Sequence, residues 1–541
     1  MTRSLHNLQL RLWKKFCVLI DGMAISSTVY ALRQENIFQS LENAEGFLSI
    51  DELAVDKKPR PGYLHLAFRL LEDQGLVLRH SSMENGGVQV VLTASGRSWL
   101  LMTPLYDSAM DFLRAASELT EKDCDATLSE ISLHGLMQLS EQEQRVRLHV
   151  VAPLVAAFLV YLYDNEMFTG ERVLFKEKCL ELPPRILKHC LTMLTDLGWL
   201  SSAGEDEWFF TGEGQLLPHF VPQLFYPVSY LKTSRQVPEL IFPEKKKRRE
   251  VEQGEESHID RSLDIRFSGL VYERNFREPV HKVLLELFNA EPLAQQPRYI
   301  VDTGSGDGTM LLDVYRTIAE ETLRGESLRD FPLTVIGVEF NQVAAQATAD
   351  RLKENRIPFL TFQGDISEPE QIGRDLTARG IALDHVFHIS KSVIHNRIYC
   401  PPLEEPDLRG WEPQSEAVFI DARGTLITAH DLALNLVDHF RRWRPLVRNH
   451  GMLVIEAHTV PPQLIAASIG ANILTSLDSS HGYSHQYLVE KDFFHTAIRT
   501  ALFSIETVAE RCVSGVDLPV LTVDYLRSIG EEESRVQALL L

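Results

Sequence analysis

Cysteine and basic residues are scarce for a chain of this length. The six cysteines are scattered along 541 residues and include no Cys-x-x-Cys pair. This spacing argues against a disulfide framework or a cysteine zinc site, and it predicts reduced thiols in a cytoplasmic location. The 54 Lys and Arg residues are outnumbered by 75 Asp and Glu residues, which gives a formal net charge of −21. Because an acidic protein repels phosphate backbones, nucleic-acid binding is disfavoured.

Long apolar runs are also missing. No segment of about 18 or more apolar residues is free of charges, so the sequence predicts no membrane-spanning helix and no membrane partner. Hydrophobic residues make up 44% of the chain and charged residues 24%, which is typical of globular proteins. The length favours several domains, each with a core of its own.

The first half of the chain contains an internal repeat, with copies that begin near residues 60 and 184. Each copy has an amphipathic helix, a glycine (Gly75 or Gly198), a strand, a polar turn, a second strand and Thr-x-x-Gly. Glycine ends a helix at low cost because it takes the left-handed conformation easily, and the paired strands predict a β-ribbon. This order predicts two winged-helix-like units. Their helices carry too few positive charges to read DNA, so a lid or adaptor role is favoured.

The composition changes again after the repeat. The most polar and charged stretch contains a basic run from Lys245 to Arg249. It is predicted to be a solvated linker, with a docking patch as the alternative. The predicted organisation is a helical and winged-helix-like unit at 1–103, a helical segment with the second unit at 104–243, the linker at 244–261, and an α/β domain at 262–541 with a long insertion at 390–428.

From residue 298 onward, apolar strands and amphipathic helices alternate. Such alternation predicts an α/β domain with a parallel sheet covered by helices on both faces. A mostly helical N-terminal region precedes it. Ligands in these domains bind outside the carboxyl ends of the strands, so the functional residues are expected at that edge of the sheet.

The first predicted strand ends in a glycine-rich loop, with Asp302 followed by Gly304, Gly306 and Gly308. Alternating glycines let the backbone turn tightly and approach a ligand closely. Position 309 is threonine, so the loop lacks the third glycine of a dinucleotide fingerprint and does not predict an NAD-type pyrophosphate site.

Carboxylates end the next two predicted strands. Glu339 follows the second strand, where it can accept hydrogen bonds from ribose hydroxyls. Asp365 follows the third strand, beside Ile366, where it can meet an adenine amine. Asp302 can hold an amino-acid ammonium group. The pattern therefore predicts a ligand that combines a nucleoside with an amino acid.

Together these residues resemble the class I S-adenosylmethionine-dependent methyltransferases over residues 295–525. The resemblance implies a Rossmann-like core and an enzyme that uses S-adenosylmethionine as its cofactor. The implied cofactor-binding residues are Asp302, Gly304, Gly306, Gly308, Glu339, Asp365 and Ile366.

Polar residues also follow the fourth and fifth predicted strands, where the methyl acceptor is expected. His395 is a candidate base, and Glu456 and Tyr399 are further catalytic candidates. His458, His481 and Gln486 are candidate metal ligands, because imidazole with amide or carboxylate oxygen suits Fe(II). No His-Glu-x-x-His spacing supports a metal independently.

A narrower resemblance rests on VDTGSGDGT, ISKSVIHNRIY, VIEAH and HGYSHQYLVE. These segments resemble methyltransferase domains of bacterial polyketide synthases, in starter-unit loading regions of the apratoxin and gephyronic acid type. In that group a helical and winged-helix region precedes the core as a lid or adaptor. The resemblance implies C-methylation of a malonyl-type thioester on an acyl carrier protein, with Fe(II)/Fe(III) or another divalent metal in some members.

Two alternatives stay open. The first is O-methylation of a small hydroxylated metabolite by a histidine base without a metal. The second is a winged-helix regulator whose methyltransferase-like domain senses a ligand, although the intact glycine loop, Glu339 and Asp365 argue against it. A homodimer formed through the N-terminal region is compatible with the sequence, but no pattern is diagnostic of one.

Overall fold

The computed structural model describes residues 2–44, 46–53, 55–81, 87–121, 133–168, 174–176, 182–202, 207–243 and 258–530. The N-terminal part, up to residue 243, is mostly helical. Residues 258–530 form an α/β domain. The predicted basic run from Lys245 to Arg249 lies outside the described residues.

The N-terminal region contains two small antiparallel sheets among its helices. Its elements in chain order are α1 (Thr2–Gln34), α2 (Ile37–Glu42), β1 (Leu48–Ser49), α3 (Ile50–Leu53), α4 (Pro61–Asp73), β2 (Val77–Ser81), β3 (Val88–Leu92), α5 (Ala94–Leu100), α6 (Ala109–Glu121), α7 (Glu141–Asp164), β4 (Leu174–Lys176), α8 (Pro184–Asp196), β5 (Leu200–Ser202), β6 (Glu207–Phe210), α9 (Phe225–Ser229) and α10 (Leu231–Ile241).

Two helices of this region are long and apolar enough to cross a membrane by length and composition, Leu5–Gln34 and Glu141–Asp164. Their most apolar windows are 89% and 83% buried inside the protein. The two helices pack against each other in the N-terminal core. Helices buried to this extent are typical of a protein core, where apolar side chains cover the whole helix surface.

The internal repeat corresponds to two copies of a helix followed by an antiparallel ribbon, α4 with β2–β3 and α8 with β5–β6. Gly75 and Gly198 end the two helices with φ of +67° and +77°, which confirms the predicted left-handed stops. The glycines of the two Thr-x-x-Gly segments have a steric role. A Cβ on Gly96 or Gly214 would lie 1.9 or 2.0 Å from a carbonyl oxygen just before the first strand of the ribbon.

The α/β domain has a seven-stranded sheet in the order β14-β15-β13-β10-β7-β8-β9. Its elements are α11 (Arg261–Asn275), α12 (Arg277–Phe288), β7 (Tyr299–Thr303), α13 (Thr309–Glu321), α14 (Leu323–Glu326), β8 (Thr334–Glu339), α15 (Gln342–Glu354), β9 (Phe359–Gln363), α16 (Pro369–Ala378), β10 (Val386–Lys391), β11 (Phe419–Ile420), β12 (Leu426–Ile427), α17 (Ala429–Trp443), β13 (Met452–Ala457), α18 (Pro462–Ala467), α19 (Leu474–Tyr483), α20 (Lys491–Thr500), β14 (Phe503–Val513) and β15 (Val516–Ser528).

Five strands of this sheet, β7 to β10 and β13, run parallel, and the β14–β15 hairpin closes one edge in the antiparallel direction. The central strands β10 and β13 are buried along their whole length, as expected for strands covered by helices on both faces. The structure confirms the predicted α/β fold class. The carboxyl ends of the parallel strands meet at one edge, where the polar residues singled out by the sequence lie.

The predicted insertion follows β10 and carries the short hairpin β11–β12. This hairpin lies on α4 of the N-terminal region. The Gly62 amide donates to the Gly424 carbonyl at 3.0 Å, and a Cβ on Gly62 would lie 2.7 Å from the Ile420 side chain. The insertion therefore joins the two halves of the chain.

Candidate active site

The glycine loop has the left-handed backbone conformations that its three alternating glycines allow. Gly304, Gly306 and Gly308 have φ of +85°, +60° and +76°, a region that side chains other than glycine rarely adopt. A Cβ on Gly304 would lie 2.4 Å from a methyl group of Val393. A Cβ on Gly306 would meet no atom within 4 Å. The loop is thus packed on one side and faces open space at Gly306.

Glu339 and Asp365 lie at the same edge of the sheet. The Gly306 amide donates to the Glu339 carboxylate at 2.6 Å, which ties the end of β8 to the glycine loop. The Asp365 carboxylate accepts a hydrogen bond from the Ser367 amide at 2.8 Å. Ile366 beside it is buried. Glu339 thus contacts the glycine loop, and Asp365 and Ile366 follow β9, the strand next to β8 in the sheet.

Asp302 is fully buried, and neither of its carboxylate oxygens has a hydrogen-bond partner among the described residues. Burial raises the pKa of Asp302 to about 8. It lines a small cavity with Lys391 and with Ser268, Gly269 and Tyr272 of α11. A buried carboxyl group without a partner is costly unless a ligand completes its hydrogen bonds. The cavity therefore fits the ammonium group of an amino-acid moiety.

Lys391 and α11 were missed by the sequence analysis. Lys391 ends β10, and its ammonium group donates to the Ser268 hydroxyl. Burial lowers the pKa of Lys391, and Asp302 opposes that effect. The position of Lys391 at the end of a central strand was a usable signal. Helix α11 has no sequence motif, and only the fold places it over the glycine loop.

His395 and Glu456 form a buried pair at the ends of β10 and β13. The His395 Nδ1 atom lies 2.5 Å from a Glu456 carboxylate oxygen, and the exposed fractions of the two residues are 5% and 2%. The His395 amide also donates to Glu456, at 3.3 Å, and the Ala457 amide donates to it at 2.9 Å. The carboxylate is thereby held in one orientation against the ring.

The protonation of this pair follows from its contacts. Burial favours a neutral Glu456, but His395 and the Ala457 amide outweigh burial and lower the pKa of Glu456. An ionised carboxylate accepts the proton on His395 Nδ1. Nε2 of His395 has no hydrogen-bond partner among the residues described. This nitrogen is thus available to take a proton from a bound molecule.

His481 lies beside the pair but is held by other contacts. Its ring meets the His395 ring edge-on, with centroids 4.8 Å apart. Its Nδ1 donates to the Leu477 carbonyl at 2.7 Å. Burial, together with His395, lowers the pKa of His481 to about 3. His481 is therefore neutral near pH 7 and forms part of the wall around His395.

The three predicted metal ligands each contact other side chains or backbone groups. His458 packs against Phe494, and its Nε2 bonds the Thr522 hydroxyl at 3.0 Å. Gln486 donates to the Tyr230 hydroxyl at 3.4 Å, while His481 contacts His395. Across the described ranges, no group of three or more His, Cys, Asp or Glu side chains could hold a metal ion. The structure thus gives the predicted iron centre no support, and the ligand set of His458, His481 and Gln486 stays a prediction.

Tyr399 is half-buried at the outer side of the same segment. Its ring meets the Tyr487 ring edge-on at 6.2 Å, and burial raises the pKa of Tyr399. The structure gives it no hydrogen bond to His395 or Glu456. Of the three predicted catalytic residues, His395 and Glu456 are brought together and Tyr399 is not.

Two family models match the chain. Residues 256–522 match the family described as "AprA MT2-like domain", and residues 15–79 match the "AprA N-terminal domain". No curated protein sequence matches the chain.

Several solved methyltransferases are similar to the chain in structure. The DszA carbon methyltransferase is 13% identical, with a TM-score of 0.33, over 80% of this chain and 93% of that chain. The CurJ carbon methyltransferase is 12% identical, with a TM-score of 0.35, and the match covers 77% of this chain and 100% of that chain. Human N-acetylserotonin methyltransferase is 10% identical, with a TM-score of 0.28, and the match covers 94% of this chain and 95% of that chain.

Proposed function

Because residues 256–522 belong to the AprA MT2-like methyltransferase family, we propose that this S-adenosylmethionine-dependent enzyme of natural-product biosynthesis methylates a carbon acid. The acceptor is the α-carbon of a malonyl-type thioester, carried on an acyl carrier protein or supplied as a free thioester. The observation that carries the proposal is the buried His395–Glu456 pair, at the same strand edge as the glycine loop.

The residues around the glycine loop fit S-adenosylmethionine. Asp302 would hold its ammonium group, because the carboxyl group is buried and lacks a partner. Glu339 would face the ribose, and Asp365 with Ile366 the adenine. The bound cofactor supplies an electrophilic methyl group on a sulfonium. Val393 packs on Gly304, so the segment that carries His395 lies directly against the loop.

Proton removal is the step that this chain's residues perform. A carbon acid is a poor nucleophile until it is deprotonated, and a positioned base typically contributes about 10²–10⁴-fold to such a step. His395 Nε2 takes the α-proton of the acceptor. Glu456 fixes the tautomer and stabilises the imidazolium that forms. The electron pair left on the carbon then forms the bond to the methyl group, and the pair of the broken carbon–sulfur bond stays on sulfur.

The burial of the site supports this chemistry. His481 and the surrounding helices keep water from the pair, and a low dielectric strengthens the interaction between the imidazolium and Glu456. In-line alignment of carbon and methyl group is then chiefly a matter of positioning. No metal enters the proposal, since the described residues include no group of three or more His, Cys, Asp or Glu side chains that could hold one.

The test uses the purified full chain with S-adenosylmethionine and a malonyl-loaded carrier protein, followed by intact mass spectrometry. We expect a gain of at least one methylene mass on the acyl group, unchanged by a chelator or by added Fe(II). A parallel reaction with malonyl-N-acetylcysteamine tests whether the carrier protein is required.

Two outcomes would contradict the proposal. Methylation of a phenol or hydroxy-polyketide with none on the thioester would identify an O-methyltransferase that uses the same histidine base. A strict requirement for Fe(II) would restore the metal hypothesis. Binding of S-adenosylhomocysteine, measured by calorimetry, shows in each case that the protein is intact.

A further inference from the structure

Helix α19 carries His481 and is enclosed by the N-terminal region. Along one face it is tied to α1, where the Ser479 hydroxyl donates to the Ala24 carbonyl at 3.2 Å and Tyr483 bonds Thr28 at 2.9 Å. Just beyond its end, Tyr63 of α4 bonds the His485 ring at 2.6 Å. The wall of the proposed acceptor site is therefore built against helices that precede the methyltransferase domain by some two hundred residues of sequence.

Arg69 of α4 is the charged residue at the centre of this contact. Its side chain is 1% exposed, and its guanidinium bonds the Val460 carbonyl at 2.6 Å, the Thr459 hydroxyl at 3.2 Å and the Asp478 carboxylate at 2.9 Å. It also bonds the Glu416 carbonyl of the insertion at 3.3 Å. One side chain of the N-terminal region thus reaches three segments of the methyltransferase domain.

Two of these segments carry the residues of the proposed site. Thr459 and Val460 lie just beyond β13, which holds Glu456, and Asp478 lies one helical turn before His481. The Thr459 hydroxyl also donates to Asp478 at 2.9 Å. Arg69 consequently joins the strand that orients the base to the helix that packs against it.

The positive charge of Arg69 is stabilised by neighbouring carboxylates. Burial opposes the charge, but Asp73, at 3.2 Å, and Asp478 outweigh burial and raise the pKa of the guanidinium. A buried charge with several partners is strongly destabilised when one partner is removed. The guanidinium therefore stays charged, and it links the two segments through a charged, hydrogen-bonded contact.

We propose that Arg69 is a positioning residue for the His395–Glu456 pair. It acts through Thr459, Val460 and Asp478, and it touches neither the pair nor the cofactor loop. The inference rests on the proposed function, because Arg69 is inferred to position the base that removes a proton from the acceptor. It also makes the N-terminal region a structural part of the acceptor site.

The experiment compares Arg69→Met with Arg79→Met in the full chain. Arg79 is the control, since its side chain is only 10% exposed, pairs with Glu72 at 2.7 Å and bonds the Glu416 carbonyl at 2.9 Å. It has no bond to Thr459, Val460 or Asp478. We expect kcat to fall on the order of 10²-fold in Arg69→Met, since a displacement of about 1 Å at the reacting groups can cost that much. The control stays near the wild-type kcat.

Three further readouts separate positioning from general damage. In Arg69→Met the KM for S-adenosylmethionine and the Kd for S-adenosylhomocysteine stay unchanged, and Arg69→Lys recovers part of kcat. Hydrogen exchange rises in peptides that cover residues 456–486 and stays unchanged around 302–309. Equal loss of kcat and cofactor binding, or unchanged exchange in 456–486, would overturn the proposal.

If Arg69→Met fails to fold, a second pair of variants tests the same link. Asp478→Asn and Thr459→Val break the same link with little change of volume, and each is expected to lower kcat while cofactor binding is retained. Wild-type kcat in both variants would overturn the inference. If the wild-type protein transfers no methyl group to any malonyl thioester, the proposed function fails, and hydrogen exchange still decides whether Arg69 holds the two segments together.

Discussion

The two halves of the candidate site are built in different ways. The cofactor half, from Asp302 to Ile366, comes from the ends of three neighbouring strands and the turns that follow them. The acceptor half joins β10, β13 and α19 to helices α1 and α4 of the N-terminal region. A site made from consecutive strand ends is encoded in short motifs. A site made from distant segments depends on packing, and its residues have no fixed spacing.

The largest effect is expected from a variant that disrupts only the acceptor half. Replacing His395 by glutamine removes the base but keeps a polar side chain of similar size. We expect kcat to fall by about 10²–10⁴-fold, the usual contribution of a general base. Binding of S-adenosylhomocysteine, measured by calorimetry, stays at the wild-type value. A kcat within a few-fold of wild type would remove His395 from the mechanism.

The second largest effect is expected from a variant that disrupts the cofactor half. Gly304→Ala places a Cβ at 2.4 Å from Val393 on a residue with φ of +85°, so both strain and overlap distort the loop. We expect the affinity for S-adenosylhomocysteine to fall about tenfold or more, which corresponds to about 1.4 kcal/mol. The melting temperature of the Gly304→Ala variant without ligand is also expected to fall.

Gly306→Ala is the matched control for this variant. It has a similar positive φ, but its Cβ meets no atom within 4 Å. It should melt closer to wild type than Gly304→Ala when no ligand is present. The same melting temperature in both variants would show that Val393 does not restrict the loop.

A smaller effect concerns pH and the cofactor half. Burial raises the pKa of Asp302 from 3.8 to about 8, so the folded state binds a proton more tightly than the unfolded state. The contribution of Asp302 to the free energy of unfolding therefore falls as pH rises from about 4 to 8. Asp302→Asn should flatten this pH dependence in denaturant titrations.

The same group predicts the pH dependence of cofactor binding. An ionised Asp302 is the form that attracts an ammonium group, so the affinity for S-adenosylhomocysteine should rise between pH 6 and pH 8 as the carboxyl group ionises. Asp302→Asn should lose that rise. Identical pH profiles for wild type and variant would exclude Asp302 from the ammonium site.

The smallest expected effect tests the edge of the acceptor half. Tyr399 contacts Tyr487 and makes no hydrogen bond to the His395–Glu456 pair. We expect Tyr399→Phe to keep kcat close to wild type, whereas Glu456→Gln lowers it. A large loss in Tyr399→Phe would assign the hydroxyl a role in contact with the acceptor.

The sequence placed the residues proposed for the cofactor at the correct edge of the sheet, and their role in cofactor binding stays a prediction. Gly304, Gly306 and Glu339 are together because parallel strands place their carboxyl ends at one edge, a consequence of topology that alternating strands and helices already imply. Asp302 was also placed correctly at the strand end. The absence of any hydrogen-bond partner for its carboxylate became visible only in the packed structure.

The acceptor half was predicted only in part. His395 and Glu456 follow neighbouring strands, so their meeting followed from the same rule. The metal hypothesis stays a prediction without structural support, because residue type alone does not determine where a side chain points. His458 lies only two residues from Glu456, yet its ring turns to Thr522 and Phe494, and Gln486 turns to Tyr230. Side-chain direction depends on neighbours that the sequence does not place.

The sequence by itself determined the α/β sheet, the glycine stops of the two repeated helices, the strained loop and the order of its carboxylates. These features depend on local backbone preferences and on hydrophobic periodicity, which short segments encode. Only the tertiary structure decided that Arg69 meets Asp478, that α11 covers the loop, and which partners the three candidate ligands have. Such contacts join residues far apart in the sequence, up to 409 positions for Arg69 and Asp478, and the packing of whole helices fixes them.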